Sequence, residues 1–130
     1  MITAIYAAGL ALLFMGLAVR TLRLRGRYQI AIGDGNNAEL LRAIRAHANF
    51  AEYVPMTLLL IYMLESASDF PILIHALCGI LAIGRISHAY GISQVKENPR
   101  YRIFGMAMTF TALGGAALAI FAIAILTAFK

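Results

Sequence analysis

The chain has 130 residues, of which 62% are hydrophobic and only 13% charged, with a mean hydropathy of +0.80 and a net charge of +5. Soluble domains are about half apolar and about a quarter charged, so this composition excludes an ordinary water-facing surface and points to a membrane. A single cysteine, Cys78, excludes an intrachain disulfide framework and a multi-cysteine metal site.

A membrane helix needs about 20 mostly apolar residues to cross roughly 30 Å of hydrocarbon. Met1 to Val19 is uncharged and predicts the first span, over residues 2–22. It lacks a basic leader and is followed by arginines, so it reads as a retained helix and not as a cleaved signal. Gly33-Asp34-Gly35-Asn36-Asn37 marks a turn, and Asn36 with Glu39 three positions on resembles a capping box that opens a second helix, over 37–66. The first half of that helix carries Arg42, Arg45, His47, Asn49 and Glu52, while Tyr53 to Leu64 is apolar apart from Thr57 and tyrosine hydroxyls. Its polar half is expected in the interface or inside a bundle. Asp69-Phe70-Pro71 opens a third helix, over 70–91. Asn98 caps a fourth, over 99–129, with Pro99 at the first helical position, where its missing N–H is no loss. Gly114-Gly115-Ala116 predicts a close helix approach in the fourth. The expectation is an all-α integral membrane four-helix bundle forming one domain, without repeats.

Arg20, Arg23, Arg25, Arg27, Arg42 and Arg45 flank the first connection, and Arg85, Lys96, Arg100 and Arg102 flank the third. The middle connection, around Glu65 and Asp69, holds no basic residue, and Lys130 stands apart. The positive-inside rule puts connections one and three in the cytoplasm and both termini outside. Basic residues beside spans already have a topological and lipid-headgroup explanation, which argues against a nucleic-acid partner.

Charges within a span are expensive and usually face a partner or a cavity. At helical spacing Arg42, Arg45, Asn49, Glu52 and Tyr53 fall within an arc roughly 100° wide. A cation, an amide, a carboxylate and a phenol on one arc suit a small zwitterion with carboxylates and an ammonium group. Pairing of Arg45 with Glu52 or Glu39, and an interhelical hydrogen bond from Asn49, are the packing alternatives. His88 lies three positions after Arg85 and is either a ligand contact or an interfacial side chain. His47, His75 and His88 lack paired spacing, so no metal site is expected. Arg100 and Arg102 sit at the N-terminus of the fourth helix, where the dipole mildly disfavours cations. Such an electropositive spot could bind an anion or favour the thiolate of a ligand.

The run Arg45-Ala46-His47-Ala48-Asn49-Phe50-Ala51-Glu52-Tyr53-Val54-Pro55 resembles the R-x-x-x-N-x-x-E-Y-x-P motif of the MAPEG family, the membrane-associated proteins in eicosanoid and glutathione metabolism. Gly33-Asp34-Gly35, Gly84-Arg85, His88-Ala89-Tyr90-Gly91, the length and the four spans extend the resemblance over nearly the whole chain, which looks most like the short bacterial members. The resemblance implies a homotrimer in a bacterial inner membrane, with glutathione bound as co-substrate between subunits near the cytoplasmic face. In the better-understood members, microsomal glutathione transferases and leukotriene-C synthase, the glutathione thiolate attacks a lipophilic electrophile or reduces a lipid hydroperoxide. Carried over, the motif implies glutathione contacts from Arg45, Asn49, Glu52 and Tyr53. Arg102, with Arg100 as competitor, would stabilise the thiolate, and Arg25 or Arg27 would reach a carboxylate. Where the mammalian enzymes carry tyrosines near the end of the third helix, this chain has His88 and Ile92, and Tyr90 falls on another face. Glutathione binding and transferase activity are therefore separate expectations, and a non-catalytic binding or assembly protein of the same fold is the alternative. A small multidrug exporter also has four spans, but it needs a membrane-embedded carboxylate, for which Glu52 would have to serve.

Overall fold

The computed structural model describes residues 1–94, 96 and 98–129; Lys130, the basic residue set apart above, lies outside them. These residues form α1 (Ile2–Tyr28), α2 (Ala38–Ala67), α3 (Pro71–Ser93) and α4 (Pro99–Ala128), with no strand among the described residues. The all-α class is as the sequence predicts. α1 runs on past the expected 22, carrying Gly26 within it, and ends only at Gln29, which adopts a left-handed conformation (φ 54°). The Gln29 backbone N–H closes the end on Arg25 O, and its side chain donates to Gly26 O at 2.7 Å, doing what glycine usually does at this position.

The start of α2 corrects the expected capping box. Asn36 takes a left-handed φ of 56° inside the turn, and Asn37 is the cap, its side chain accepting from the Leu40 N–H at 2.9 Å. Glu39 faces back across the loop and accepts from the Tyr28 hydroxyl. Asn98 caps α4 as expected, accepting from the Arg100 N–H at 3.1 Å, and Pro71 and Pro99 sit in the first turns of α3 and α4.

α1, α3 and α4 are long and apolar enough to cross a membrane. α2 is too polar to qualify alone, and it lies against all three. Leu10, Phe50, Ile61, Leu64, Ile74 and Leu81 fill the interior, whereas Leu12, Met15, Ile72, Leu118 and Phe121 point outward. Exposed apolar surface on this scale is a liability in water and carries no cost in hydrocarbon. Helix ends are closed by side chains from neighbouring helices. The Glu65 carboxylate, at the end of α2, accepts from the N–H groups of Ile2 and Thr3 and lies 2.9 Å from the Met1 amine. At the opposite face Arg20 donates to the side chain and carbonyl of Ser93, and Arg42 donates to the carbonyl of Ile92, so two cations meet the negative end of α3.

α3 packs most extensively on α4, and the crossing is built on glycine. A Cβ on Gly105 would stand 2.6 Å from both the carbonyl oxygen of Gly84 and the amide nitrogen of His88. One on Gly84 would meet Met108 Cβ at 2.9 Å, and one on Gly91 would meet Tyr101 Cβ at 2.8 Å. Gly105, Thr109, Ala112 and Ala116 form the buried small-residue stripe of α4. Of the expected Gly114-Gly115-Ala116 approach, Gly115 and Ala116 do meet the bundle, a Cβ on Gly115 reaching Leu77 of α3 at 3.2 Å and Ala116 being fully buried, whereas Gly114 has nothing within 4 Å and faces away. Gly105→Ala must push two backbones apart and is expected to destabilise by about 1–3 kcal/mol, the range for overpacking. A lowered thermal midpoint in detergent would show this, with Gly114→Ala as the unaffected control.

Candidate functional site

A cleft of about 610 Å³ opens between α2, α3 and α4 beside the third connection. Arg45 and Asn49 of α2, His88 of α3 and Arg102 of α4 line its polar end. Ile103, Met106, Ala107 and Phe110 continue along α4 as an apolar wall. Arg45 and Asn49 are four apart and Arg102 and Met106 are four apart, so each helix presents one stripe to the opening. Among the described residues no carboxylate lines it. The cleft is therefore cationic at one end and greasy at the other. An anionic group at the rim with an apolar body running toward the bilayer suits that polarity.

Behind Asn49 stands Arg85. Sequence reasoning counted it among the flanking arginines, but it lies inside α3, about two turns before the helix ends, and is 1% exposed. Its Nη2 donates to Asn49 Oδ1 at 2.9 Å, and its guanidinium sits 5.9 Å from the centre of the Phe50 ring. The signal was available, since an arginine within an apolar helix of this length is rarely a mere anchor.

The expected contacts do not all gather in one place. Arg45, Asn49, His88 and Arg102 come together, and Arg102 rather than Arg100 lines the cleft. Tyr53 is half-buried and meets the ring of Phe110, part of the apolar wall, edge-on at 5.4 Å. Glu52 is exposed on the outside of α2. Among the described residues Arg45 pairs with neither Glu52 nor Glu39, the latter being turned toward Tyr28. Arg42, on the same arc, is turned to the α3 terminus. His75 is exposed and shares a 3.2 Å hydrogen bond with Tyr6. Arg25 donates to the carbonyls of Ile30, Ala31 and Gly33 at 3.3, 3.1 and 2.9 Å, and so holds the first connection together, and Arg27 lies over the Tyr28 ring at 5.7 Å.

Fold and cleft together define an integral membrane helical bundle with a cationic site at one end of its spans. The MAPEG family model matches residues 3–122. The chain is 39% identical over 114 residues to the inner membrane protein YecN of Escherichia coli K12, covering 87% of this chain and 85% of that protein, and the same figures hold for its counterpart in Escherichia coli O6:H1. The chain belongs to the MAPEG family. An inner-membrane location follows from these relatives together with the three apolar helices.

The Arg25 clamp makes a prediction separable from ligand binding. Arg25→Ala should open the segment 30–37, raising its amide hydrogen exchange about tenfold as charge-assisted bonds to three carbonyls are lost. Exchange in α3 and α4 should stay unchanged.

Proposed function

We propose that the cleft binds glutathione, or a related thiol peptide, and activates its thiol for attack on a lipophilic electrophile or hydroperoxide drawn from the bilayer. The observation that carries this reading is the convergence of Arg45, Asn49, His88 and Arg102 from three helices on one cleft whose far wall is apolar. Arginine forks match carboxylates, and Asn49 matches a peptide carbonyl. Arg102 stands at the N-terminal turn of α4, where the helix dipole adds to its charge. A thiol of pKa about 8.5 is only about 3% ionised at pH 7, and lowering it to about 6.5, worth roughly 2.7 kcal/mol, makes it mostly thiolate. With a carbon electrophile the thiolate sulfur forms a bond to carbon while the leaving group departs with its electron pair; with a hydroperoxide it bonds to the terminal oxygen as the O–O bond breaks and the alcohol leaves, and a second thiol then displaces water to form the disulfide.

Glu52 and Arg45 are exposed on α2, and a charge that faces lipid costs up to roughly 2.5–3.5 kcal/mol at a span centre. That surface suits a second copy of the chain, in keeping with the homotrimer the family resemblance implies. It also favours a second reading, in which the polar face of α2 serves assembly alone.

Calorimetry with detergent-purified protein separates the two. On the enzyme reading, millimolar glutathione binds saturably and Arg45→Ala weakens it at least tenfold, the loss expected for a charge-assisted contact. Arg102→Ala should leave the oligomer intact and remove the ultraviolet absorbance of bound thiolate together with conjugation. Absence of binding, with an oligomer that Arg45→Ala dissolves, would establish assembly instead.

The orientation proposed from the basic residues places the first connection in the cytoplasm and both termini outside. In a Cys78→Ala background, Ser68→Cys should react with a membrane-impermeant maleimide in intact cells and Asp34→Cys only after permeabilisation. The reverse pattern would invert the topology.

A further inference from the structure

We infer that Arg85 is the positioning residue of this cleft: by engaging Asn49 Oδ1 it commits the Asn49 amide to presenting N–H donors to the ligand. This rests on the reading of the cleft as a thiol-peptide site. An asparagine amide has an accepting and a donating end, and rotation exchanges them. A guanidinium only donates, so the 2.9 Å contact from Arg85 Nη2 requires the oxygen to face it. The NH2 group is what remains for the cleft, beside Arg45 and Arg102. The site then offers donors from three helical positions, and the group it selects beside Asn49 is an acceptor, a carboxylate or a peptide carbonyl. An ammonium group or amide N–H finds no partner on Asn49.

Arg85 is a costly way to hold one amide if stability were the purpose. It is 1% exposed, and its Nε and Nη1 have no hydrogen-bond partner among the described residues. A buried cation with open N–H groups is commonly replaced by an apolar residue of similar volume without loss of stability, sometimes with a gain. The neighbours fix its place from both sides. Phe50, one residue after Asn49, lies under the guanidinium, and Gly84, one residue before Arg85, is locked against Gly105. Arg85 and the α4 wall are thereby held at a set distance from α2. The residue reaches the ligand only through Asn49.

The test uses full-length protein in detergent with two readouts, the side-chain amide signal of Asn49 by nitrogen-15 NMR and glutathione binding by calorimetry. In the wild type and in Arg85→Lys the two Asn49 amide protons should lie away from their free-amide positions and be slow to exchange with solvent. In Arg85→Met they should move to the two positions of a solvent-exposed asparagine amide and lose their protection from exchange, while the thermal midpoint stays level or rises. Arg85→Met and Asn49→Ala should each weaken glutathione binding at least tenfold, as expected for a lost bond to a charged group. The double variant should be no weaker than either, and Arg85→Lys should recover part of the affinity. Additive losses in the double variant, or an Asn49 signal indifferent to Arg85→Met, would overturn the inference. If the wild type bound no glutathione, the reading of the cleft would fall, and the amide signal alone would decide: loss of exchange protection in Arg85→Met sustains the positioning role, and its persistence refutes it.

Discussion

Backbone contact between α3 and α4 is the constraint on which the other features depend. In hydrocarbon there is no hydrophobic drive to bring two apolar helices together, so close van der Waals approach must do it, and that approach needs residues without bulk. Gly84 and Gly105 supply it, with Gly91 set against Tyr101 further along. Because Gly105 lies directly on the backbone of His88, the ring of His88 is delivered to the cleft. Arg102, about one turn before Gly105, is delivered to the same rim. A wider crossing would separate the groups that make the site.

The second organising feature is the division of labour among the arginines. Arg20 and Arg42 face the carbonyl end of α3, and Arg25 gathers the carbonyls of the first connection. These satisfy backbone carbonyls at a helix end and in a connection that the helix ladders leave unpaired. Arg45 and Arg102 line the cleft, and Arg85 stands behind it. The arginines therefore divide between closing backbone groups and lining the cleft. Glu65 plays the matching part at the opposite end, where it closes the amide end of α1. The two ends of the bundle are thus fastened by opposite charges on opposite helix termini.

Membership of the MAPEG family and the inner-membrane setting agree with a site whose apolar wall runs along a span and whose polar groups cluster at one end. Such a layout lets a water-soluble, charged molecule and a membrane-dissolved one meet at a single boundary. His88 and Ile92 both border the cleft, so the departure of this chain from the mammalian pattern lies in the site itself.

How much was legible in the chain follows from how far each feature reaches. Asn98 and Pro99 announced the start of α4 because a cap acts within one turn, and the apolar runs announced three spans because hydropathy is a sum over neighbours. The spacing of Arg45 and Asn49 put both on one stripe for the same local reason. Local rules failed where a near-equivalent residue stood one step away, as when Asn37 displaced Asn36 as the cap. They resolved the glycines only in part, since the packing of Gly105 and Gly115 but not of Gly114 depends on which face α3 meets. The sequence by itself determined the helices, their membrane character and the composition of the polar arc. Only the tertiary structure decided that Arg85 would be buried against Asn49, 36 positions away, that Arg42 would turn to α3, and that Arg102 and not Arg100 would line the cleft. A long side chain can reach in many directions from one backbone position, and its destination is set by the neighbour that the crossing of the helices brings within range.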